Sequence, residues 1–338
     1  MTKMLRRTRN FAHAAAILCL LVEVSECVRA VSDKDIDLLS DRLWGLDKNR
    51  AGTDDVTFDY QSKSKFQDRT DKSSRKLFSR VSPSVLTGPT YSALIDLYPF
   101  YNPRNGVVDP QQSAAFDKAV DRFLDAVMQT GPIKELMKFL DEHGYPQGKS
   151  SSAFKQYLRQ IWFDPYGRSG AGGPRDSSGF EHVFLEEHKT DDSVIGLHNW
   201  VRMYTLEKNG TLDYAGYLKK GDSLISVLYR IRGQFKSSSL FIRTSPEYDL
   251  AIYTMCFILR QGKNRCTFEL PDCTQAQVTT YDFKQNSKEY VGTAYANSVG
   301  RPTCSRTHAG ASPKAAARVH VSTMLLAVVC VVRWLAAH

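Results

Sequence analysis

The sequence has no Cys-x-x-Cys pair and no cysteine–histidine cluster at zinc spacing, which removes the usual structural zinc sites. It has no Gly-x-Ser-x-Gly elbow and no cysteine near a plausible base, which argues against a secreted protease or esterase. The glycine-rich stretch Gly170–Gly173 lacks both the Gly-x-Gly-x-x-Gly and the Gly-x-x-x-x-Gly-Lys patterns, and reads as a flexible connector. Compact carboxylate clusters, internal repeats and long disordered blocks are also missing.

Long hydrophobic runs are absent too, although both ends carry short ones. Arg6, Arg7 and Arg9 precede an apolar core from Ala14 to Val22, and Val28-Arg29-Ala30 offers a cleavage site. Residues 1–30 therefore read as a secretory signal. Glu23 and Glu26 close that run short of the ~20 residues of a membrane span. At the other end stand small residues (Ala309, Gly310, Ala311, Ser312), a polar spacer, and an apolar run from Met324 to Val332. That order is the pattern of a GPI-attachment signal over residues 309–338. The competing reading is one transmembrane helix with almost no cytoplasmic tail, but Arg333 would then sit deep in hydrocarbon.

Trimming both ends changes the charge. The chain carries 45 basic and 36 acidic residues, a net +9. The terminal segments hold eight of the basic and two of the acidic residues, which leaves 37 against 34, or +3. Overall basicity is then weak evidence for a nucleic-acid partner, although a local basic face is compatible with it. Cysteines divide the same way. Cys19, Cys27 and Cys330 lie in the trimmed segments, and Cys256, Cys266, Cys273 and Cys304 remain. An even number in an oxidising compartment predicts disulfides. Cys266–Cys273 is the first pairing expected, since both flank a short turn-forming stretch with Pro271. Cys256, inside an apolar run, reads as a buried free thiol. Asn209-Gly210-Thr211 is a glycosylation sequon.

The remaining body, residues 31–308, is long enough for a substantial core. Its first part, residues 31–165, reads helical. Ser32 or Asp33 caps a helix carrying Ile36, Leu39 and Leu43. Phe116, Val120, Phe123 and Val127 recur at helical spacing, as do Ile133, Leu136, Met137 and Leu140, and then Phe154, Leu158 and Ile161. Residues 61–80 are polar and read as an exposed connection. In residues 166–300 the period shortens, and 177–187, 194–205, 223–229, 238–243 and 276–283 read as strands or strand–helix alternations. Helices early and strands late predict an α+β fold.

Two histidines carry the chemistry. His182 lies in Gly179-Phe180-Glu181-His182-Val183-Phe184 and His198, sixteen residues on, in Gly196-Leu197-His198-Asn199-Trp200. That distance suits neighbouring strands facing one cleft. Histidine titrates near pH ~6.5, so one ring can accept a proton while the other donates one. Cleavage of RNA by its own 2′-hydroxyl needs that division of labour.

These two motifs, with the later FIRTSPEYDLAIYT and a terminal GTAY, resemble the EndoU (XendoU) family of uridylate-specific endoribonucleases, in order, over roughly residues 33 to 300. The resemblance implies a fold in which antiparallel sheets and packed helices hold the catalytic cleft. It implies His198 as general base, His182 as general acid, and Lys236, matched with a one-residue gap, as the cation for the phosphorane. Arg232 and Arg243 compete with Lys236. Arg243 is itself a departure, since a glycine commonly precedes the Thr-Ser-Pro-Glu motif. Glu181 and Glu187 match supporting carboxylates, and Thr293 and Tyr295 match the part that reads uracil. His188 reads as a solvated turn residue, and Trp200 and Asn199 as supports of the cleft. The family implies dependence on Mn²⁺, with Ca²⁺ in some members, and no ligands are read from the sequence. The expected partner is single-stranded RNA, acted on by a monomer at the outer cell surface. The rival reading is a non-catalytic RNA-binding or cell-surface interaction module on the same fold.

Overall fold

Ser32 opens the first helix, α1 (Asp33–Leu46), with a reciprocal cap: its hydroxyl accepts from the Asp35 amide at 3.2 Å, and the Asp35 carboxylate accepts from the Ser32 amide at 2.9 Å. The computed structural model describes residues 28–108, 113–169, 174–190 and 193–300. The signal and anchor segments expected at the two ends lie outside them, as does Gly170–Gly173. Among the described residues no helix is long and apolar enough to cross a membrane.

The helical first half forms as the apolar spacing predicts. After the short pair β1 (Val56–Phe58) and β2 (Phe78–Val81) come α2 (Pro83–Leu86), α3 (Pro89–Leu97), α4 (Ala114–Met128), α5 (Gly131–Glu142) and α6 (Ser151–Phe163). Phe116, Val120, Phe123 and Val127 of α4 and Phe154, Leu158 and Ile161 of α6 are all buried. The connection at residues 61–80 is not wholly exposed, because its end enters β2, where Leu77 and Phe78 are buried.

Residues 177–187 are not a strand. They form a short helix, α7 (Gly179–Phe184), capped by Ser178, whose hydroxyl accepts from the Glu181 amide at 3.2 Å. The Ser-x-x-Glu spacing is the signal for it. Phe180 and Phe184, four residues apart, share one face; Phe180 stacks on Phe163 (4.6 Å) and Phe184 meets Trp162 edge-on (5.6 Å), both of α6. Each such ring buried stabilises by about 2–3 kcal/mol. His182, half a turn away, is thereby turned off the aromatic layer.

The strands follow: β3 (Glu187–Thr190) and β4 (Ser193–Ile195), then α8 (Trp200–Lys208), then β5 (Leu212–Lys219), β6 (Leu224–Ile231) and β7 (Gln234–Phe241) as one antiparallel sheet. After α9 (Pro246–Leu259), β8 (Gly262–Glu269), β9 (Gln275–Gln285) and β10 (Lys288–Ser298) form a second. Strand β10 packs against β6 and β7, so the two sheets meet along it. Helix α9 is apolar nearly all round and runs buried through the body. The architecture is α+β.

Both cysteine expectations, the Cys266–Cys273 pairing and the free thiol at Cys256, are overturned. Cys256 is not a free thiol but is bonded to Cys266, with the Cα atoms 5.6 Å apart. Cys256 sits near the end of α9, and the chain reverses directly into β8, which brings Cys266 back beside it. The reversal is tertiary, and the local turn around Pro271 gave no hint of it. Cys273 is disulfide-bonded elsewhere than to Cys266, and Cys304 lies outside the described residues.

Candidate active site

Neither histidine lies on a strand. His182 is in the last turn of α7, and His198 is in the loop that leads into α8. Backbone contacts bring them together. The Leu197 amide donates to the His182 carbonyl at 3.2 Å, and the His198 amide to the Val183 carbonyl at 2.8 Å. Such a close return needs Gly196: its φ is +74°, and a Cβ there would lie 1.9 Å from the His182 carbonyl oxygen. Beyond the loop, Asn199 caps α8 through the amides of Val201 and Arg202, and its side-chain amide donates to Asp249 at 3.0 Å. Trp200 is buried and donates to the Thr244 carbonyl at 2.7 Å.

His182, His198 and Lys236 line one cavity of about 740 Å³. Strand periodicity sets the rest of its wall. On β7, Lys236 and Ser238 are two apart and share a face. On β10, Thr293, Tyr295 and Asn297 alternate with the buried Gly292, Ala294 and Ala296, so all three line the cavity. Tyr295 is half-buried and stacks on the His198 ring, 5.4 Å between centres. Lys236 has no ion-pair partner among the described residues, so it is an uncompensated cation in the wall.

The competitors to Lys236 have other work. Arg232 sits with Gly233 in the β6–β7 turn. Arg243 donates to the Val56 carbonyl at 2.9 Å and lies 5.0 Å from the Phe58 ring centre. Its φ is +65°, the left-handed region that favours glycine.

The two rings are wired differently. The Ser238 hydroxyl donates to the Leu197 carbonyl at 2.5 Å, so its oxygen can only accept from His198 Nδ1, 3.0 Å away. The Ser239 carbonyl, 3.3 Å from the same nitrogen, is also an acceptor. A neutral His198 therefore carries its hydrogen on Nδ1, which leaves Nε2 with the lone pair. Burial pushes this imidazole down to about 3, and the charge of His182 adds to that against the Ser239 hydrogen bond. His182 Nδ1 instead meets Glu187 Oε2 at 2.5 Å. Burial lowers the His182 pKa more than Glu187 raises it. Burial alone would raise the Glu187 carboxyl, but the His182 hydrogen bond and the charges of His182 and Arg168 hold it below its usual range.

Arg168 went unread in the sequence because it belongs to no motif. Its Nε lies 3.2 Å from Glu187, and its Nη2 donates to the Tyr166 hydroxyl (2.5 Å) and to the Gly292 carbonyl (2.6 Å). It thus ties the carboxylate behind His182 to the strand that carries Thr293 and Tyr295. Ser238, one of three successive serines, likewise belongs to none of the sequence motifs.

Other expectations fall differently. Glu181 and Glu187, expected as supporting carboxylates, are both buried, and Glu187 meets the His182 ring. His188 is buried in β3, not a solvated turn residue, and its amide donates to the Pro103 carbonyl. Asn209 is exposed in the turn after α8, where its side chain accepts from the Thr211 amide at 3.0 Å. Among the described residues no group of three or more His, Cys, Asp or Glu side chains is placed to hold a metal ion. The carboxylate behind His182 is already engaged by His182 and Arg168, so no metal ligands are assigned.

The depressed His198 pKa has a stability consequence. Below pH ~6.5 the unfolded chain protonates this ring while the folded chain does not, so stability is lost as pH falls from there toward about 3. His198→Gln removes that proton uptake. Urea unfolding of both proteins at about pH 7, 5.5 and 4.5 should show wild type losing ground against the variant as pH falls. A pH-independent difference would show that the ring titrates normally.

Known proteins resemble this chain over most of its length. A family model described as "Endoribonuclease XendoU" matches residues 35–296. A human "Uridylate-specific endoribonuclease" is 36% identical over 286 residues, which is 81% of this chain and 68% of that one. "Uridylate-specific endoribonuclease D" of Xenopus laevis is 34% identical over 294 residues, 82% of this chain and 93% of that one. Among solved structures, one titled "The structure of XendoU: a splicing independent snoRNA processing endoribonuclease" superposes with a TM-score of 0.67 at 28% identity, covering 79% of this chain and 97% of that one.

Proposed function

Because the chain belongs to the XendoU family of endoribonucleases, we propose that it cleaves single-stranded RNA at uridylates by attack of the ribose 2′-oxygen on the adjacent phosphorus. The products are a 2′,3′-cyclic phosphate and a free 5′-hydroxyl. His198 Nε2 takes the 2′-hydroxyl proton. Lys236 stabilises the growing charge of the phosphorane. His182, protonated on both nitrogens and held through Nδ1 by Glu187, gives a proton to the departing 5′-oxygen. Its lowered pKa makes the imidazolium a strong acid but leaves that form the minority at neutral pH, so turnover rises as pH falls toward the His182 pKa. Thr293 and Tyr295 read the uracil.

What supports this assignment of roles is the unlike wiring of the two rings: acceptors only around Nδ1 of His198, a carboxylate on Nδ1 of His182. The family is metal-associated. Mn²⁺, or Ca²⁺, would act on the RNA or on conformation, and no step above is routed through it. We further propose that the enzyme is a monomer exported by residues 1–30, glycosylated at Asn209 and lipid-anchored after cleavage near Ala309–Ser312.

The test is incubation of residues 31–308 with an oligonucleotide containing a single uridine, with and without Mn²⁺, followed by identification of the ends. One cut at uridine with a cyclic phosphate is expected, and a linear phosphate formed without a cyclic precursor would sink the mechanism. For the anchor, phosphatidylinositol-specific phospholipase C should release the protein from expressing cells. An intact C-terminal peptide containing Trp334 in the membrane-bound protein would rule the anchor out.

A further inference from the structure

Phe66 is a large apolar side chain left 40% exposed, and it lines the same cavity as His182, His198 and Lys236. It opens a short turn in a strap, residues 62–76, that contains six basic residues (Lys63, Lys65, Arg69, Lys72, Arg75, Lys76) and two acidic ones (Asp68, Asp71). A net +4 in fifteen residues exceeds the +3 of the whole trimmed body. Lys72 and Arg75 are paired with Asp68 and Asp59. Lys63, Lys65 and Arg69 are exposed, and the Arg69 guanidinium stands 5.8 Å from the Phe66 ring centre.

The strap is built onto the sheet rather than loosely laid there. The Ser64 amide donates to the Tyr217 carbonyl at 2.8 Å, the Tyr217 amide to the Ser62 carbonyl at 3.2 Å, and the Lys72 amide to the Ala215 carbonyl at 3.0 Å. Gly216 permits that approach to β5: its φ is +133°, and a Cβ would meet the Ser62 carbonyl oxygen at 2.9 Å. Lys219, farther along β5, and Asn297 of β10 line the same cavity.

We propose that Phe66 is a stacking platform for a second base of the bound RNA, next to the uridine, and that Lys63, Lys65 and Arg69 follow the phosphates beyond it. The inference rests on the endoribonuclease reading of the cavity and adds a subsite to it. An exposed aromatic face interleaved with cations, continuous with a cavity that takes a nucleotide, matches the chemistry of single-stranded RNA: every base has a face to stack, and every link carries a negative charge.

The test compares two substrates with the full-length purified protein: a uridine 3′-phosphate methyl ester, which carries one base, and a hexanucleotide with one uridine. Phe66→Ala should lower kcat/KM for the hexanucleotide about tenfold, within the range for loss of one stacked base. It should leave the one-base ester unchanged, and Phe66→Trp should restore the hexanucleotide. The triple change Lys63→Gln, Lys65→Gln, Arg69→Gln should flatten the salt dependence of hexanucleotide binding. Binding of a hexanucleotide with 2′-deoxyuridine at the cut site, followed by fluorescence anisotropy, separates subsite from chemistry. Weakening by Phe66→Ala supports the subsite even if cleavage does not occur as proposed above. Parallel loss on both substrates, or no effect on cleavage and binding of the hexanucleotide, overturns it.

Discussion

Alanine at His198 lowers turnover of uridine-containing RNA by about 10²–10⁴-fold, and alanine at His182 does the same, because each removes one partner of a proton relay. Both variants stay folded. The His198 backbone keeps its bond to Val183, which is what holds the loop. Removing the His182 ring leaves Glu187 buried, but Arg168 remains 3.2 Å away to neutralise it. The double variant falls little below either single one, since the two rings act as a unit. The measurement is single-turnover cleavage, with near-ultraviolet circular dichroism to confirm the fold. Activity within about tenfold of wild type in either single variant, against the range above, removes the acid–base assignment.

Replacing the uridine 2′-hydroxyl with hydrogen at the cut site stops the reaction altogether. The attacking atom of the proposed mechanism is then missing, and both histidines in that mechanism move protons on substrate oxygens. Ser238 gives its own proton to the Leu197 carbonyl, and Ser226 and Ser239 bond each other at 2.7 Å. The deoxy strand should still bind, because Thr293, Tyr295 and Lys236 remain, and should therefore act as a competitive inhibitor. Gel analysis of the deoxy strand, together with its inhibition constant, makes the check. Efficient scission would require an activated water and would end the transesterification mechanism.

Much of the fold was legible because its signals are local. The Ser32 cap and the stripes on α4 and α6 are patterns of neighbouring residues, and neighbours decide them. α7 was misread because its phenylalanines and valine suit a strand by composition. The capping serine and the four-residue spacing of Phe180 and Phe184 outweigh composition once α6 supplies a face to stack on.

By itself the sequence determined the α+β order, the two histidine motifs and their resemblance to a nuclease family, because these reside in residue type and spacing. Only the tertiary structure decided which nitrogen of each histidine is available. That depends on Ser238, forty residues from His198, and on the Leu197 carbonyl that claims its proton. It also decided that Cys256 bonds Cys266, that Arg168 holds Glu187, and that Phe66 joins the cavity. Each is a contact between segments distant along the chain or a reversal of direction between elements. Spacing carries no record of such contacts, since they arise only when separate elements pack.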